Sequence, residues 1–366
     1  MRALMAWLVC GALLAGGVAR AQNPKGESDM GKTTKKDGAS QATSQTARPP
    51  AARQPGARAK GKKASGKAKG KGANATGAER KVEVDETVLK LYEAREYKGM
   101  PYRLMKPIDF NPATTYPLIL SLHGKGGVGS DNLGNLRVWT GFLAREELRR
   151  KHPCFVLAPQ TAQRWTMADE KVPPLTTETI KAYPEVWQQW LKRRMTEGTT
   201  SGTAARASLF GSGDLSKVFD LVAEIEKEFH IDRDRIYVLG HSMGGFGTWN
   251  AIYAKPEMFA AAIPTAGGLP PWQDPKRFAN VPVWAFHGTA DPLVPFEFTK
   301  GIFDAMKQCG GNMKFTELKG VNHGSNVPGF QYTGDDEAAG RITHYSSDRC
   351  DKESNIWDWL FKQKRS

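Results

Sequence analysis

The chain is 366 residues long and 40% hydrophobic, enough for one large α/β domain with additions to it. Of its formal charge of +14, residues 22–80 carry +10 (14 Lys and Arg against 4 Asp and Glu), whereas the 36 basic and 34 acidic residues from Lys81 onward nearly cancel. The basicity therefore belongs to a tail without aromatics to stack on bases, which argues against dedicated nucleic-acid binding.

At the N-terminus, Arg2 is followed by an apolar run from Ala3 to Val18 and a small-x-small ending at Ala19, Arg20 and Ala21. This is the pattern of a cleaved secretory signal over residues 1–21, with a run short of the ~20 apolar residues a bilayer span needs. It predicts a secreted or periplasmic protein beginning near Gln22, with no transmembrane segment in the mature chain. Residues 22–80 repeat Ala, Gly, Lys, Ser and Thr and cannot bury enough surface to offset chain entropy, so a disordered basic linker is expected. Such a polycation would be drawn to anionic cell-surface polymers in a salt-dependent way.

Residues 81–366 read as one folded domain. "EAREYKGMPYRLMKP" suggests a hairpin turning at Lys98 and Gly99, and "YPLILSLHG" and "PCFVLAPQ" are apolar runs suited to strands covered on both faces. Leu215, Val218, Leu221, Val222, Ile225 and Phe229 recur at helical spacing, with Asp214 and Ser216 available for capping. This helix leads into the strand "RIYVLG". Strand-like runs follow in "FAAAIPTAGG" and "VPVWAFHGTADPLVP", then a helix is expected near Phe296 to Gln308, a strand at "MKFTELKG" and a closing amphipathic segment, "SNIWDWLFKQK". Strands alternating with helices predict an α/β fold, a mainly parallel sheet with helices on both faces and ligands at the carboxyl ends of the strands. Two stretches break the rhythm, near 166–211 and 326–352, and both are expected to rim a site.

Three cysteines remain after signal removal. Cys154 opens an apolar run and suggests a buried thiol, which leaves Cys309 and Cys350 as a candidate disulfide. No Cys or His spacing suggests a metal site, and Asp335, Asp336 and Glu337 read as a solvated acidic loop.

The chemistry concentrates around "RIYVLGHSMGGFGTW". Gly240, Ser242 and Gly244 form G-x-S-x-G between a strand and a helix-forming run, where a sharp bend exposes the serine hydroxyl and aims free helix amides at the same point. A tightly packed glycine turn would explain the glycines alone. A serine nucleophile, however, needs a base and the base a carboxylate, and Asp291 and His323 each follow a strand-like run, so all three would reach the same sheet edge. His123, His241 and His287 are rivals for the base, the first and last as loop-shaping residues bonded to backbone and His241 as a side chain directed away by the bend. Glu297 and Asp274 are rivals for the acid. The amide of Met243 and one from Lys125 or Gly126, in "HGKGGVGSDN", would serve as oxyanion donors. Trp165 and Trp272 lie in loops at the same edge, either to stack on a substrate ring or to close the pocket wall.

"LILSLHGKGGVGSDN", "RIYVLGHSMGGFGTW", "WAFHGTADPLVP" and "GVNHGS" together resemble the α/β-hydrolase superfamily, and within it feruloyl esterases, polyhydroxybutyrate depolymerases and the prolyl oligopeptidase catalytic domain. The resemblance runs from about Tyr97 to the C-terminus outside the two insertions. It implies the α/β-hydrolase fold and a cofactor-free serine hydrolase with Ser242 as nucleophile, His323 as general acid/base and Asp291 as its orienting partner. A small-molecule or polymer-linked ester, carbohydrate-linked or short-chain, is the implied substrate, with a peptide as the alternative. Nothing resembles the β-propeller of full-length prolyl oligopeptidases. From another class, a non-catalytic adhesion module delivered by the basic tail is the competing reading.

Overall fold

The computed structural model describes residues 84–169, 171–197 and 210–365. The expected signal (1–21), the basic linker (22–80) and most of the polar run after Met195 lie outside the described residues.

Nine strands form one sheet in the order β1-β2-β4-β3-β5-β6-β7-β8-β9. They are β1 Tyr92–Tyr97, β2 Met100–Met105, β3 Tyr116–Leu122, β4 Phe155–Pro159, β5 Ile231–His241, β6 Ala261–Thr265, β7 Val283–Gly288, β8 Met313–Leu318 and β9 Arg341–Tyr345. The six from β4 to β8 in sheet order are mutually parallel, and the edge pairings β1–β2, β2–β4 and β8–β9 are antiparallel. The β1–β2 hairpin turns at Lys98 (φ 47°) and Gly99 (φ 75°), the pair of positive values that matches the twist of the flanking strands.

The helices that position the site are α1 Glu185–Glu197, α2 Leu215–Glu228, α3 Met243–Ala254, α4 Phe296–Gln308 and α5 Ile356–Lys362. Alternation along the strands divides the core in two. Leu118, Leu120, Leu122 and Val238 pack with Leu215, Val218 and Trp249 from α2 and α3, while Ile119, Tyr237 and Leu239 pack with Trp139 and with Trp359 of α5. Every residue of β3 is buried, because helices cover both faces. β4 and β5 flank β3 on opposite sides, so strand order reverses there and opens a crevice at the carboxyl ends of β3 and β5.

Three expectations are corrected. The stretch 326–352 does not line the cavity beside Ser242: it supplies edge strand β9, whose Thr343 Oγ1 bonds Thr316 Oγ1 at 2.8 Å, and it buries Phe330 and Tyr332 beneath Trp139, Trp284 and Phe286. Sparse apolar residues hid this, since only two aromatics carry the packing. The three described cysteines are free thiols: Cys309 points its sulfur at the Met306 carbonyl, and buried Cys350 points to Met313 and Ser346. Asp214 stands at the N-cap of α2 without bonding its amides, because its carboxylate accepts from the Thr161 hydroxyl and pairs with Lys217. The acidic loop is partly tied down, with Asp336 paired to Arg341 at 2.7 Å and Asp335 accepting from the Tyr332 hydroxyl.

Lys314 of β8 is 1% exposed, with its Nζ 3.2 Å from the centre of the Trp284 ring. Burial pulls its pKa down to about 7 against the opposing charges of Asp351 and Glu353. The unfolded chain keeps this proton up to the ordinary lysine value of about 10.4, so between about pH 7 and that value the unfolded state binds more protons and stability rises with pH. The melting temperature should climb between pH 7 and 9.5, and Lys314→Met should flatten that climb. An unchanged slope in the variant would exclude Lys314 as its source.

Candidate active site

β5 runs into α3 through Ser242, which has φ 58° and ψ −117° and stands at the helix N-cap. A side chain at positive φ is strained, and here surrounding packing holds it. The bend needs two backbones in near contact: a β-carbon on Gly244 would lie 2.0 Å from the Leu122 carbonyl oxygen. The Ser242 amide donates to the Thr265 carbonyl at 3.0 Å, tying the bend to β6.

The loops after β7 and β8 bring Asp291 and His323 to this bend. His323 Nε2 lies 2.8 Å from Ser242 Oγ, and His323 Nδ1 lies 2.7 Å from Asp291 Oδ2. The Asp291 side chain is wholly buried, whereas that of His323 is 22% exposed. Its Oδ1 accepts from the amides of Leu293 (2.9 Å) and Val294 (3.0 Å), so the loop fixes the carboxylate before any substrate arrives. Burial alone would raise this carboxyl, but hydrogen bonds from His287, His323 and the two amides outweigh it and hold it far below the usual carboxylate range.

The rival residues occupy other roles. His123 donates through Nδ1 to the Gly124 carbonyl (2.8 Å) and accepts at Nε2 from the Thr161 amide (3.1 Å); burial lowers its pKa to about 4 and keeps it neutral. His287 contacts backbone at the Val294 carbonyl (3.0 Å), as expected of a loop-shaping residue, yet its Nε2 also lies 3.4 Å from Asp291 Oδ2. That contact escaped sequence reasoning, although the i,i+4 spacing within "HGTAD" was the signal that could have suggested it. His241 bonds Thr265 Oγ1, but its ring centre is 4.9 Å from that of His323, so it flanks His323 and is not turned away from Ser242. Burial first, then the neighbouring His323, lowers its pKa to about 3. Glu297 is exposed in the first turn of α4, and Asp274 caps a short turn through the Lys276 amide.

A cavity of about 410 Å³ opens beside Ser242. Met243 and Lys125 line it, and their amides begin helical turns, where no carbonyl of the preceding turn is available to them. Gly126 is in the same short turn but does not line the cavity; its carbonyl accepts from Arg137. Trp165 forms a wall: it is 1% exposed, and its indole nitrogen donates to the His123 carbonyl at 2.9 Å. Trp272 does not itself line the cavity and packs edge-on, at 4.8 Å, against Phe210, which does. The stretch 166–211 does reach the site. Through α1 and the residues after it, this stretch contributes Trp190, Arg194 and Phe210 to the lining, and the Trp190 indole donates to the Leu293 carbonyl at 3.0 Å. These residues and Arg164 were missed because nothing local marks them as neighbours of Ser242.

Among the described residues no helix is long and apolar enough to cross a membrane, and no cluster of His, Cys, Asp or Glu is arranged to hold a metal ion.

Residues 213–333 match the phospholipase/carboxylesterase family. A bifunctional acetylxylan esterase/xylanase of Neocallimastix patriciarum is 32% identical over 95 residues, 25% of this chain and 13% of that protein. An uncharacterised secreted protein of Arthroderma benhamiae is 30% identical over 122 residues, again 25% of this chain and 13% of that one. The chain spans less than half the length of the curated relatives it matches. The crystal structure of a thermostable esterase superposes with a TM-score of 0.55 at 29% identity, covering 76% of this chain and 64% of that one. Sheet order, the strained strand-to-helix bend and these similarities agree: the chain has the α/β-hydrolase fold and resembles the carboxylesterases built on it.

Proposed function

We propose that the protein is a serine hydrolase of carboxylic esters. The observation that carries this reading is the continuous hydrogen-bonded path from Ser242 Oγ through His323 to buried Asp291, at 2.8 and 2.7 Å, opening on a cavity. Ser242 Oγ attacks the ester carbonyl carbon as His323 Nε2 takes its proton, and Asp291 stabilises the resulting imidazolium. The amides of Met243 and Lys125 face the developing oxyanion, a donor set in which each member is worth about a hundredfold or more in rate. His323 then protonates the leaving alcohol, and water attacks the acyl-Ser242 ester by the same steps in reverse order of roles.

Similarity to a carboxylesterase family and to esterases supports an ester as substrate, carbohydrate-linked or short-chain. Secretion is supported by the pattern over residues 1–21 and by the secreted relative. The basic linker over 22–80 would hold the enzyme near anionic surface polymers.

The test is a fluorophosphonate probe with a panel of 4-nitrophenyl acyl esters, feruloyl and acetyl sugars, and peptide anilides. Wild type should label and turn over esters, and Ser242→Ala should lose both, with rates down by at least about 10⁴-fold. Turnover of anilides alone would make the protein a peptidase, and an unlabelled, inactive wild type would favour the adhesion module.

A further inference from the structure

Among the described residues that line the cavity beside Ser242, Lys125, Arg164 and Arg194 are cationic and none is a carboxylate. Arg164, in the loop after β4, is half-buried and makes no ion pair among the described residues; its Nη1 rests 3.6 Å from the Met243 sulfur, a weak acceptor. Burial, then the neighbouring Arg194, both push its guanidinium below the usual arginine value. Arg194 is itself held over the Trp190 ring at 5.3 Å, with Nη2 at 3.3 Å from the Leu293 carbonyl, and lines the same cavity. Removing a guanidinium from water without a counter-charge is unfavourable, and a bound anion would relieve it. The rest of the wall, including Trp190, Phe246 and Val294, is apolar and suits an organic body.

We propose that the cavity accepts esters carrying a second, free carboxylate, which Arg164 binds while Ser242 meets the ester carbonyl. This rests on the ester-hydrolase reading and narrows its substrate class. A guanidinium offers two parallel N–H donors that match a carboxylate, a fit a lone ammonium cannot reproduce. Arg194 adds to the field in which that anion sits.

The experiment compares paired esters that differ in charge and little in shape. On the acyl side the pair is the 4-nitrophenyl monoester of glutaric acid and 4-nitrophenyl pentanoate; on the alcohol side it is 4-carboxyphenyl acetate and 4-carbamoylphenyl acetate. The acid member of at least one pair should have the higher kcat/KM by about 10-fold or more. That ratio should fall towards unity in Arg164→Met and take an intermediate value in Arg164→Lys. If Arg164→Met does not fold, the wild-type ratios and Arg164→Lys still decide. Ratios near or below one in both wild-type pairs, or a preference that survives in Arg164→Met, would overturn the inference and leave ester hydrolysis standing. Calorimetric titration of the glutarate monoester into Ser242→Ala separates the converse case: charge-selective binding without wild-type turnover would keep the anion site and sink the hydrolase reading.

Discussion

Replacing Asp291 with asparagine is expected to lower kcat for ester hydrolysis by about 10⁴-fold, with little change in KM or in melting temperature. The asparagine oxygen can still accept from the amides of Leu293 and Val294, so the loop keeps its shape. The amide nitrogen, however, would face His323 Nδ1 across what is now a 2.7 Å contact, and a donor there makes Nδ1 the acceptor. The proton then sits on Nε2, the atom 2.8 Å from Ser242 Oγ, which can no longer accept the serine proton. The variant also loses the negative charge that stabilises the imidazolium, and it leaves His287, 3.4 Å away, without an anionic neighbour. Steady-state kinetics on a 4-nitrophenyl ester with a parallel thermal melt would check this. A loss smaller than about tenfold would mean that His323 is oriented by something other than Asp291.

Gly244→Ala is the second large effect, and it acts on folding. In an ordinary helix interior alanine is better than glycine by about 1 kcal/mol. Here the added carbon would sit 2.0 Å from the Leu122 carbonyl oxygen, 2.8 Å from its carbon and 3.0 Å from the His123 carbonyl oxygen, all backbone atoms of the strand beside the bend. None can rotate aside, so α3 must separate from β3 or the bend must open. Either movement disrupts the crevice between β3 and β5. We expect a destabilisation above about 4 kcal/mol, or failure to accumulate as soluble protein. Chemical denaturation of any soluble fraction measures it, and a variant as stable as wild type would show that the close approach at this bend is dispensable.

Much of this architecture was legible because it rests on local periodicity. The nearly continuous apolar runs of β3 and β4, the helical spacing from Leu215 to Ile225 and the glycines around Ser242 each state their own environment. The chain positions of Asp291 and His323, each after a strand, were readable for the same reason. Where apolar content was thin, reading failed. β9 has mixed polar residues because it closes an edge, and its burial is decided by Phe330 and Tyr332 beneath neighbouring aromatics.

The side chains around the cavity belong to another category. Arg164, Trp190 and Arg194 have no sequence signal that relates them to Ser242, and Trp272, which looked equivalent to Trp165, packs elsewhere. His287 beneath Asp291 and His241 beside His323 likewise acquire their neighbours only when the loops close. From its sequence alone this chain determines its strands, its helices, the bend at Ser242 and the order of its polar residues, because each depends on contacts within a few residues or on alternation along an element. Which charges share the cavity, and which rings form its wall, is decided only in three dimensions. Those neighbours come from separate loops and from α1, and their distances depend on how the sheet brings strand ends together.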